Sequence, residues 1–322
     1  MEGDAMYFPY VRGRQYELLA LRELAINNLL SDHVIPIIEP VKLSPTLVNV
    51  MSEFIKTQQS VAIIRNPAVG TFLSDWNDAQ ENSKEAEYKK KFSEHYDDPT
   101  IIKALIMQNS AKSLLQFWEK HGVKKAELLV INNNRDYLDV YEQMFGTIIP
   151  RYVLMPDESV FRRKVRHHKV LLDDKFEKQD RNADYIHEPD EFFSDDHLYY
   201  KEDGFIGFSD YSVVGNEYLE AGFAPYAVAI HIVYFADNKS LRVKHFVSDS
   251  NEDITNPALK YYEAVSKLAS WYKESREIKM TLGLKTFLQH YEQQSYPGLG
   301  TVKKLSLMHH IELMGQYLSE DD

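Results

Sequence analysis

The sequence predicts an α/β fold in which eight strands alternate with helices and close into a (β/α)8, TIM-barrel-like domain. Short apolar runs of strand length recur along the chain, and helical stretches separate them. The runs are continuously hydrophobic, which is typical of strands buried on both faces of a parallel sheet. An open, doubly wound sheet is the alternative, but it would more readily carry a glycine-rich phosphate turn after its first strand, and none follows residues 34–41.

The predicted elements follow one another in order. A 3.6-residue apolar pattern predicts the first helix over residues 15–30, and Gly13 prevents an earlier start. Ser44 and Pro45 are placed as N-cap and first-turn residue of the helix predicted over 47–56. The eight predicted strands are residues 34–41, 61–65, 101–107, 127–131, 151–155, 169–172, 204–208 and 227–235, with further helices at 110–121 and 135–145.

Three segments stand apart from this alternation. A polar insertion at 70–99, after the second predicted strand, includes a predicted helix at 83–92 and is either a lid over the barrel mouth or a solvated excursion. Residues 228–235 and 241–247 indicate an antiparallel hairpin added to the parallel scheme. The C-terminal part, 256–322, is predicted as a helical extension with helices at 257–271 and 281–289, and the whole chain, 1–322, as a single domain.

Composition excludes several classes of protein. At 44 % hydrophobic and 12 % aromatic, the chain can bury a sizeable core, so it is not disordered as a whole. It has no cysteine, which excludes disulfide scaffolds and cysteine nucleophiles and fits a reducing cytoplasm. No apolar run approaches the roughly 20 residues of a membrane span, and the N-terminus lacks the apolar core of a signal peptide. A soluble, cytoplasmic protein without a membrane partner is therefore expected.

The charge balance bears on nucleic-acid binding. There are 37 basic and 49 acidic residues, which gives a net charge of −12. A negative field of this size repels polyphosphate backbones, so nonspecific nucleic-acid binding is not expected. The basic stretch at 162–169 is either a solvated helix end or a phosphate site.

Polar side chains follow nearly every predicted strand, at the end where barrel enzymes build their sites. Glu39 lies in an otherwise apolar run, where an unpaired carboxylate is costly. Asp173 and Asp174 are adjacent carboxylates that repel each other unless a cation lies between them. Glu39, Arg65, Asp173 and Asp210 are expected to surround one mouth. There Arg65 and Lys175 would bind an anion, and one acid would act as general base.

The candidate site residues form two sets. The catalytic candidates are Glu39, Asp173, Asp210 and His231. The ligand-binding candidates are Lys42, Arg65, Asn66, Gln108, Asn109, Asn132, Asn134, Asp174, Lys175 and Tyr211. Structural explanations compete with these roles, because asparagine and aspartate are common in turns, Asp210 is also placed to cap a helix, and His231 also fits a hydrogen-bonded core histidine.

These residues predict a hydrolase or lyase that acts on a small polar or phosphorylated ligand, of the phosphoester or nucleotide kind. The same acids could hold Mg²⁺ or another divalent cation, since hard cations take oxygen ligands. The sequence has no P-loop, no G-x-S-x-G and no metal-binding motif of known spacing, so the cofactor stays unknown.

A family resemblance rests on motifs spread over most of the chain. They are YFPYVRGRQYE at 7–17, LRE at 21–23, IPIIEPV at 35–41, FSDY at 208–211, YPGLGT at 296–301 and MHHIE at 308–312. In these motifs the chain resembles the phage and bacterial beta-protein family, and most closely a bacterial subgroup often encoded beside a nuclease-like neighbour. The resemblance implies a barrel-like α/β domain and a role in phage defence or in conflict with mobile elements.

The family's recurrent N-terminal residues correspond here to Arg12, Gly13, Gln15 and Glu17. On this ground Arg12 and Gln15 join the ligand-binding candidates. The alternative to an enzyme is a non-catalytic binding or scaffold subunit that holds a partner through the 70–99 insertion or the C-terminal helices. The resemblance implies that this partner is nuclease-like.

Overall fold

The computed structural model describes residues 6–219, 225–275 and 278–320. The chain divides into two compact units. The first comprises Met1–Asp173 and Tyr199–Asp210, and the second comprises Asp174–Leu198 and Tyr211–Asp322.

The first unit is an eight-stranded parallel sheet whose neighbouring strands pair in chain order. Its strands are β1 (Tyr10–Val11), β2 (Ile37–Ile38), β3 (Val61–Ile64), β4 (Ile101–Ile106), β5 (Leu129–Ile131), β6 (Tyr152–Met155), β7 (Lys169–Leu172) and β9 (Gly207–Ser209), whereas β8 (Asp190–Ser194) belongs to the second unit. Tyr7 makes parallel bridges to both Val34 and Phe208, so the last strand returns to the first. This order confirms the predicted α/β barrel, because a doubly wound sheet reverses its strand order.

Backbone hydrogen bonds show how the barrel closes. The N–H of Phe8 donates to the carbonyl of Phe208 at 2.9 Å, and the N–H of Phe208 donates to the carbonyl of Met6 at 3.1 Å. On the other side of the same segment, the N–H of Ile35 donates to the carbonyl of Tyr7 at 2.9 Å. The N-terminal segment therefore fills the gap between the second and last strands of the barrel.

The prediction of eight strands was correct in number but wrong in membership. The first barrel strand is β1, which the sequence analysis missed because two residues are too short to show a hydrophobic period. The run at 227–235 was wrongly placed in the barrel. It forms β10 (Ala229–Phe235), which pairs with β11 (Leu241–Val247) as the predicted hairpin.

Helices follow most of the barrel strands. They are α1 (Gln15–Ile26), α2 (Pro45–Thr57), α3 (Phe72–Asp78), α4 (Lys84–Tyr96), α5 (Ala111–Lys120), α6 (Leu138–Phe145) and α7 (Ser159–Lys164). Ser44 caps α2 as predicted, since its side chain accepts the N–H of Leu47. The first helix ends at Ile26 rather than at residue 30, because Asn28 adopts a left-handed φ of 52°.

The polar insertion follows the third strand of the barrel rather than the second, since β1 was not foreseen. Its helices α3 and α4 share an aromatic cluster in which Phe92 contacts Phe72, Trp76 and Tyr96. The Tyr96 hydroxyl donates to the carbonyl of Ile63 in β3 at 3.1 Å. The insertion is thus packed onto the barrel through a buried apolar face.

The second unit is an antiparallel sheet in the order β10-β11-β8 with helices packed against it. The helices are α8 (Asp196–Tyr199), whose last residue belongs to the first unit, α9 (Pro257–Glu274), α10 (Leu282–Gln293) and α11 (Leu299–Glu320). The sequence analysis did not foresee α11, since it is buried on most sides and lacks a clear apolar stripe. Within the described part of the chain, no helix is both long and apolar enough to cross a bilayer.

Helices α10 and α11 approach each other closely at Gly283. A Cβ atom built at this position would lie 2.4 Å from the carbonyl oxygen of Leu305 and 2.9 Å from the backbone nitrogen of His309. Both neighbours are backbone atoms of α11 and cannot rotate away. Only glycine therefore permits this packing.

We expect Gly283→Ala to lower the free energy of unfolding by about 1–3 kcal/mol, because the added methyl group overpacks the helix contact. Urea denaturation followed by circular dichroism measures the change. The exposed residue Lys285, two residues along on the same helix, is the control, and Lys285→Ala should stay within about 0.5 kcal/mol of the wild type. Equal stability of the two variants would contradict the close contact.

Candidate active site

The carboxyl ends of the barrel strands gather the polar residues that the sequence placed after each run. Parallel strands end on the same face of a barrel, so the residues that follow them share one mouth. Those residues, in strand order, include Arg12, Glu39, Arg65 with Asn66, Gln108 with Asn109, Asn132, Asp173 and Asp210. The predicted mouth is therefore present in the first unit.

The carboxylate of Glu39 at this mouth is fully buried and occupied by three donors. The Tyr10 hydroxyl donates to Oε2 at 2.7 Å, the backbone N–H of Ala68 donates to Oε1 at 2.7 Å, and the Arg12 guanidinium forms an ion pair with Oε2. Glu39 thus joins the segments after β1, β2 and β3. In this arrangement the carboxylate ties neighbouring strands together.

Asp210 occupies a similar position at the end of the last strand. The hydroxyl of Tyr7 donates to its Oδ1 at 2.8 Å, and the N–H of Tyr10 donates to its backbone carbonyl at 2.9 Å. Burial, and then the neighbouring Asp210 carboxylate, raise the pKa of Tyr7 well above its ordinary value. Tyr7 therefore stays protonated and remains a donor, so Asp210 connects the last strand to the N-terminal segment.

Arg65 and Asn66 secure the link between β3 and β4. The Arg65 guanidinium lies 3.9 Å from the ring centre of Trp76, and burial lowers its pKa. The Asn66 side chain donates to the carbonyl of Ile106 and accepts its N–H, both at 2.9 Å. Gln108 donates to the backbone carbonyl of Asn66 at 2.6 Å. These predicted ligand-binding residues are engaged in packing and strand pairing.

The remaining barrel candidates have varied surroundings. Asn109 accepts the Tyr137 hydroxyl at 2.8 Å, and Asn134 caps a short 3-10 helix. Gln15, Lys42 and Asp173 are exposed. Asn132 is fully buried, and neither polar atom of its side chain has a hydrogen-bond partner among the residues described.

Four sequence-predicted site residues belong to the second unit instead: Asp174, Lys175, Tyr211 and His231. Asp174 accepts the N–H of Asn216 at 2.8 Å, and Lys175 forms an ion pair with Asp196 at 3.0 Å. Tyr211 is buried. The structure therefore does not place all four catalytic candidates in the barrel, since His231 lies on β10.

In the second unit, three titratable side chains form a continuous chain of hydrogen bonds across the sheet. The Nδ1 atoms of His231 and His245 are 2.7 Å apart, and Nε2 of His245 is 3.0 Å from Oε1 of Glu191. His231 lies directly opposite His245 in the β10–β11 register, and Glu191 lies on the neighbouring strand β8. These three residues are called the Glu191–His245–His231 relay below.

The surroundings of the relay shift all three pKa values. Burial lowers the pKa of His245 to about 4, and burial, then His245 and Lys303, lower that of His231 well below its ordinary value. Burial, and then repulsion from nearby carboxylates, raise the pKa of Glu191 to about 7. At neutral pH both histidines are uncharged, while Glu191 is poised between its two protonation states.

The relay ends at a cavity of about 610 Å³, within the size range of small-molecule sites. His231 is half-buried in its wall, and Phe176 and Tyr185 meet the ring edge-on with centroids 5.1 and 4.7 Å away. Its Nδ1 lies against Nδ1 of His245, which leaves Nε2 as the nitrogen available to the cavity. Val213 and Val302 add apolar walls.

The sequence analysis named His231 but missed both His245 and Glu191. A signal for His245 was available: the predicted hairpin turns about Asn238, so positions 231 and 245 are equally distant from the turn and must face each other. No comparable signal exists for Glu191. Its strand pairs with β11 across about fifty intervening residues, and it lies in a stretch that looks irregular and acidic.

Within the described ranges, no group of three or more histidine and carboxylate side chains is placed to hold a metal ion, and the expected divalent cation stays a prediction.

Compared with known proteins, the chain matches no family model and no curated sequence. The resemblance to the beta-protein family, with its defence role and nuclease-like partner, likewise stays a prediction.

We expect Glu39→Gln to lower the free energy of unfolding by about 3–5 kcal/mol, because Arg12 loses its buried counter-charge and the new amide turns a donor toward other donors. Urea denaturation measures this change. The control is Glu87→Gln, which breaks an exposed, solvent-screened pair with Lys91 and should leave the free energy of unfolding nearly unchanged. If both variants lose the same small amount, Glu39 is not a structural tie.

Proposed function

We propose that the second unit is an acid–base hydrolase acting on a small polar ligand in its cavity, with His231 as the general base. One observation carries this proposal: His231 lines the cavity, while its Nδ1 is linked through His245 to Glu191. This keeps the hydrolase expected from the sequence but moves its chemistry from the strand-end acids to the histidine. Glu39 and Asp210 hold the barrel together instead.

The relay fixes which nitrogen carries a proton. When Glu191 is ionised, it accepts the Nε2–H of His245, and His245 Nδ1 accepts the Nδ1–H of His231. The Nε2 of His231 is then a bare lone pair directed at the cavity. This is the form that acts as a base.

Protonation reverses every bond of the relay. A neutral Glu191 donates to Nε2 of His245, His245 donates from Nδ1 to Nδ1 of His231, and His231 carries its proton on Nε2. When His231 takes up a proton from the cavity, the net result is therefore that Glu191 becomes protonated. No imidazolium is formed in the low-polarity interior, where a charged histidine is costly.

This exchange supports hydrolysis with balanced protons. His231 Nε2 takes a proton from a water molecule in the cavity as the water oxygen bonds to the ligand's electrophilic centre. Successive proton transfers along the relay then leave Glu191 protonated. When the scissile bond breaks, the relay reverses, and the proton returns from Nε2 to the leaving group.

The reactivity of His231 toward diethyl pyrocarbonate, which acylates unprotonated imidazole nitrogens, tests the relay. The rate should rise with pH and show a midpoint near 7, because ionisation of Glu191, whose pKa is about 7, exposes the bare Nε2. Mass spectrometry of the His231 peptide over a pH series measures the rate. Glu191→Gln should abolish this midpoint.

A matched control tests the cause of the midpoint. Glu188 repels the Glu191 carboxylate and helps to raise its pKa, so Glu188→Gln should move the midpoint to lower pH without removing it. A midpoint near 7 that survives in Glu191→Gln would contradict the relay.

The rate of hydrolysis of a chromogenic ester tests the role of His231. We expect the wild type to hydrolyse p-nitrophenyl phosphate or p-nitrophenyl acetate, and His231→Gln to lower kcat by about 10²–10⁴-fold, the usual contribution of a general base. Release of nitrophenolate measures the rate, and the circular dichroism spectrum checks the fold. Asp173→Asn is the comparison, since it tests the exposed strand-end acid. If kcat falls more in Asp173→Asn than in His231→Gln, the active site lies at the barrel mouth instead.

A further inference from the structure

Two lysines line the cavity of this acidic protein. Although the chain carries a net charge of −12, the described residues that line the cavity include Lys178 and Lys303 and no aspartate or glutamate. Lys178 is ion-paired with Glu217 beside the cavity. The lining itself therefore offers ammonium donors and no carboxylate, which suits a ligand that carries negative charge.

The amino end of α11 forms part of the same wall. Leu299 and Gly300 in the first turn, followed by Lys303 and Ser306, line the cavity at the spacing of one helix face. The first backbone N–H groups of a helix carry the positive end of the helix dipole, although in α11 the N–H of Thr301 already donates to the carbonyl of Gly298 at 3.1 Å. The first turn of α11 contains no acidic residue that would neutralise this end.

Ser306 gives an independent sign of a ligand. Its side chain is 2 % exposed and lines the cavity, yet its hydroxyl has no hydrogen-bond partner among the residues described. A serine on a helix commonly bonds to a carbonyl of the preceding turn, and this one does not. A buried, unpaired hydroxyl is costly, so its partner is expected from outside the chain.

We propose that Lys303 and Ser306, near the amino end of α11, form an anion-binding subsite, and that the ligand of this cavity carries a phosphate or carboxylate group. The ammonium of Lys303 and the hydroxyl of Ser306 lie one turn apart on the helix and are both donors, as an anionic oxygen requires, and the positive end of the helix dipole adds a favourable field. The apolar walls at Val213 and Val302 receive the uncharged body of the ligand. The inference rests on the proposed function only in assigning the bound anion to the substrate of His231.

The test is a calorimetric titration of the full chain with inorganic phosphate, repeated with acetate, at constant ionic strength. We expect saturable binding at one site per chain for at least one of the two anions, and the tighter one identifies the group. Lys303→Gln should weaken binding at least about tenfold, because a charge-assisted contact is lost. The wild type's failure to bind either anion would overturn the subsite.

The neighbouring lysine supplies a matched control. Lys304→Gln removes the same charge from the same helix, but Lys304 does not line the cavity and instead lies near His290. Its phosphate affinity should stay within about twofold of the wild type, since only a screened long-range contribution is lost. Equal weakening in Lys303→Gln and Lys304→Gln would show diffuse attraction and overturn the subsite.

Ser306→Ala separates binding from folding. Removing an unpaired buried hydroxyl should leave the melting temperature unchanged or raise it, whereas phosphate affinity should fall severalfold. A drop in melting temperature with unchanged phosphate affinity would mean that the hydroxyl serves the fold alone, and would exclude Ser306 from the subsite.

The failure of this subsite can be distinguished from the failure of the relay. Bound phosphate should protect His231 from diethyl pyrocarbonate in the wild type but not in Lys303→Gln. A normal pH profile of His231 without phosphate binding would overturn the subsite and leave the relay. Phosphate binding without the pH midpoint would overturn the relay and leave the subsite.

Discussion

The barrel depends on hydrogen bonding between its N-terminal segment and its last strand. An eight-stranded sheet has two unpaired edges until these strands meet, and unpaired edges leave backbone groups without partners. The bond from Tyr7 to Asp210 joins residues 203 positions apart, and the backbone of Phe8 pairs with Phe208 beside it. Such distant contacts carry a large loop-closure cost, so they are made as a group of backbone and side-chain bonds rather than singly.

This constraint explains why the polar residues at the barrel mouth are largely structural. Short strands of two to six residues offer few backbone bonds each, and side chains at their ends supply the missing links. Glu39 gathers donors from three segments, and Asn66 pairs with both backbone groups of Ile106. A carboxylate held by three donors links the segments that supply them.

The second unit uses polar groups in a different way. His245 is buried and His231 is half-buried, and their lowered pKa values keep both histidines neutral. A neutral histidine pair can pass a proton along a chain only if the far end can take it up. Glu191 meets this condition because burial and neighbouring carboxylates raise its pKa to about 7. The acid–base chemistry proposed for the cavity thus depends on desolvation of the whole relay.

The sequence by itself determined the α/β class, the capped start of α2 and the β10–β11 hairpin. It also located seven of the eight barrel strands, β2 to β7 and β9, in full or in part. These features depend on local hydrophobic period and turn chemistry. It placed polar residues at strand ends but could not tell a tie such as Glu39 from a ligand contact. Only the tertiary structure decided that β1 opens the barrel and that Glu191 meets His245. Both depend on pairing between distant segments, and local sequence carries no record of which distant segment a short strand will join.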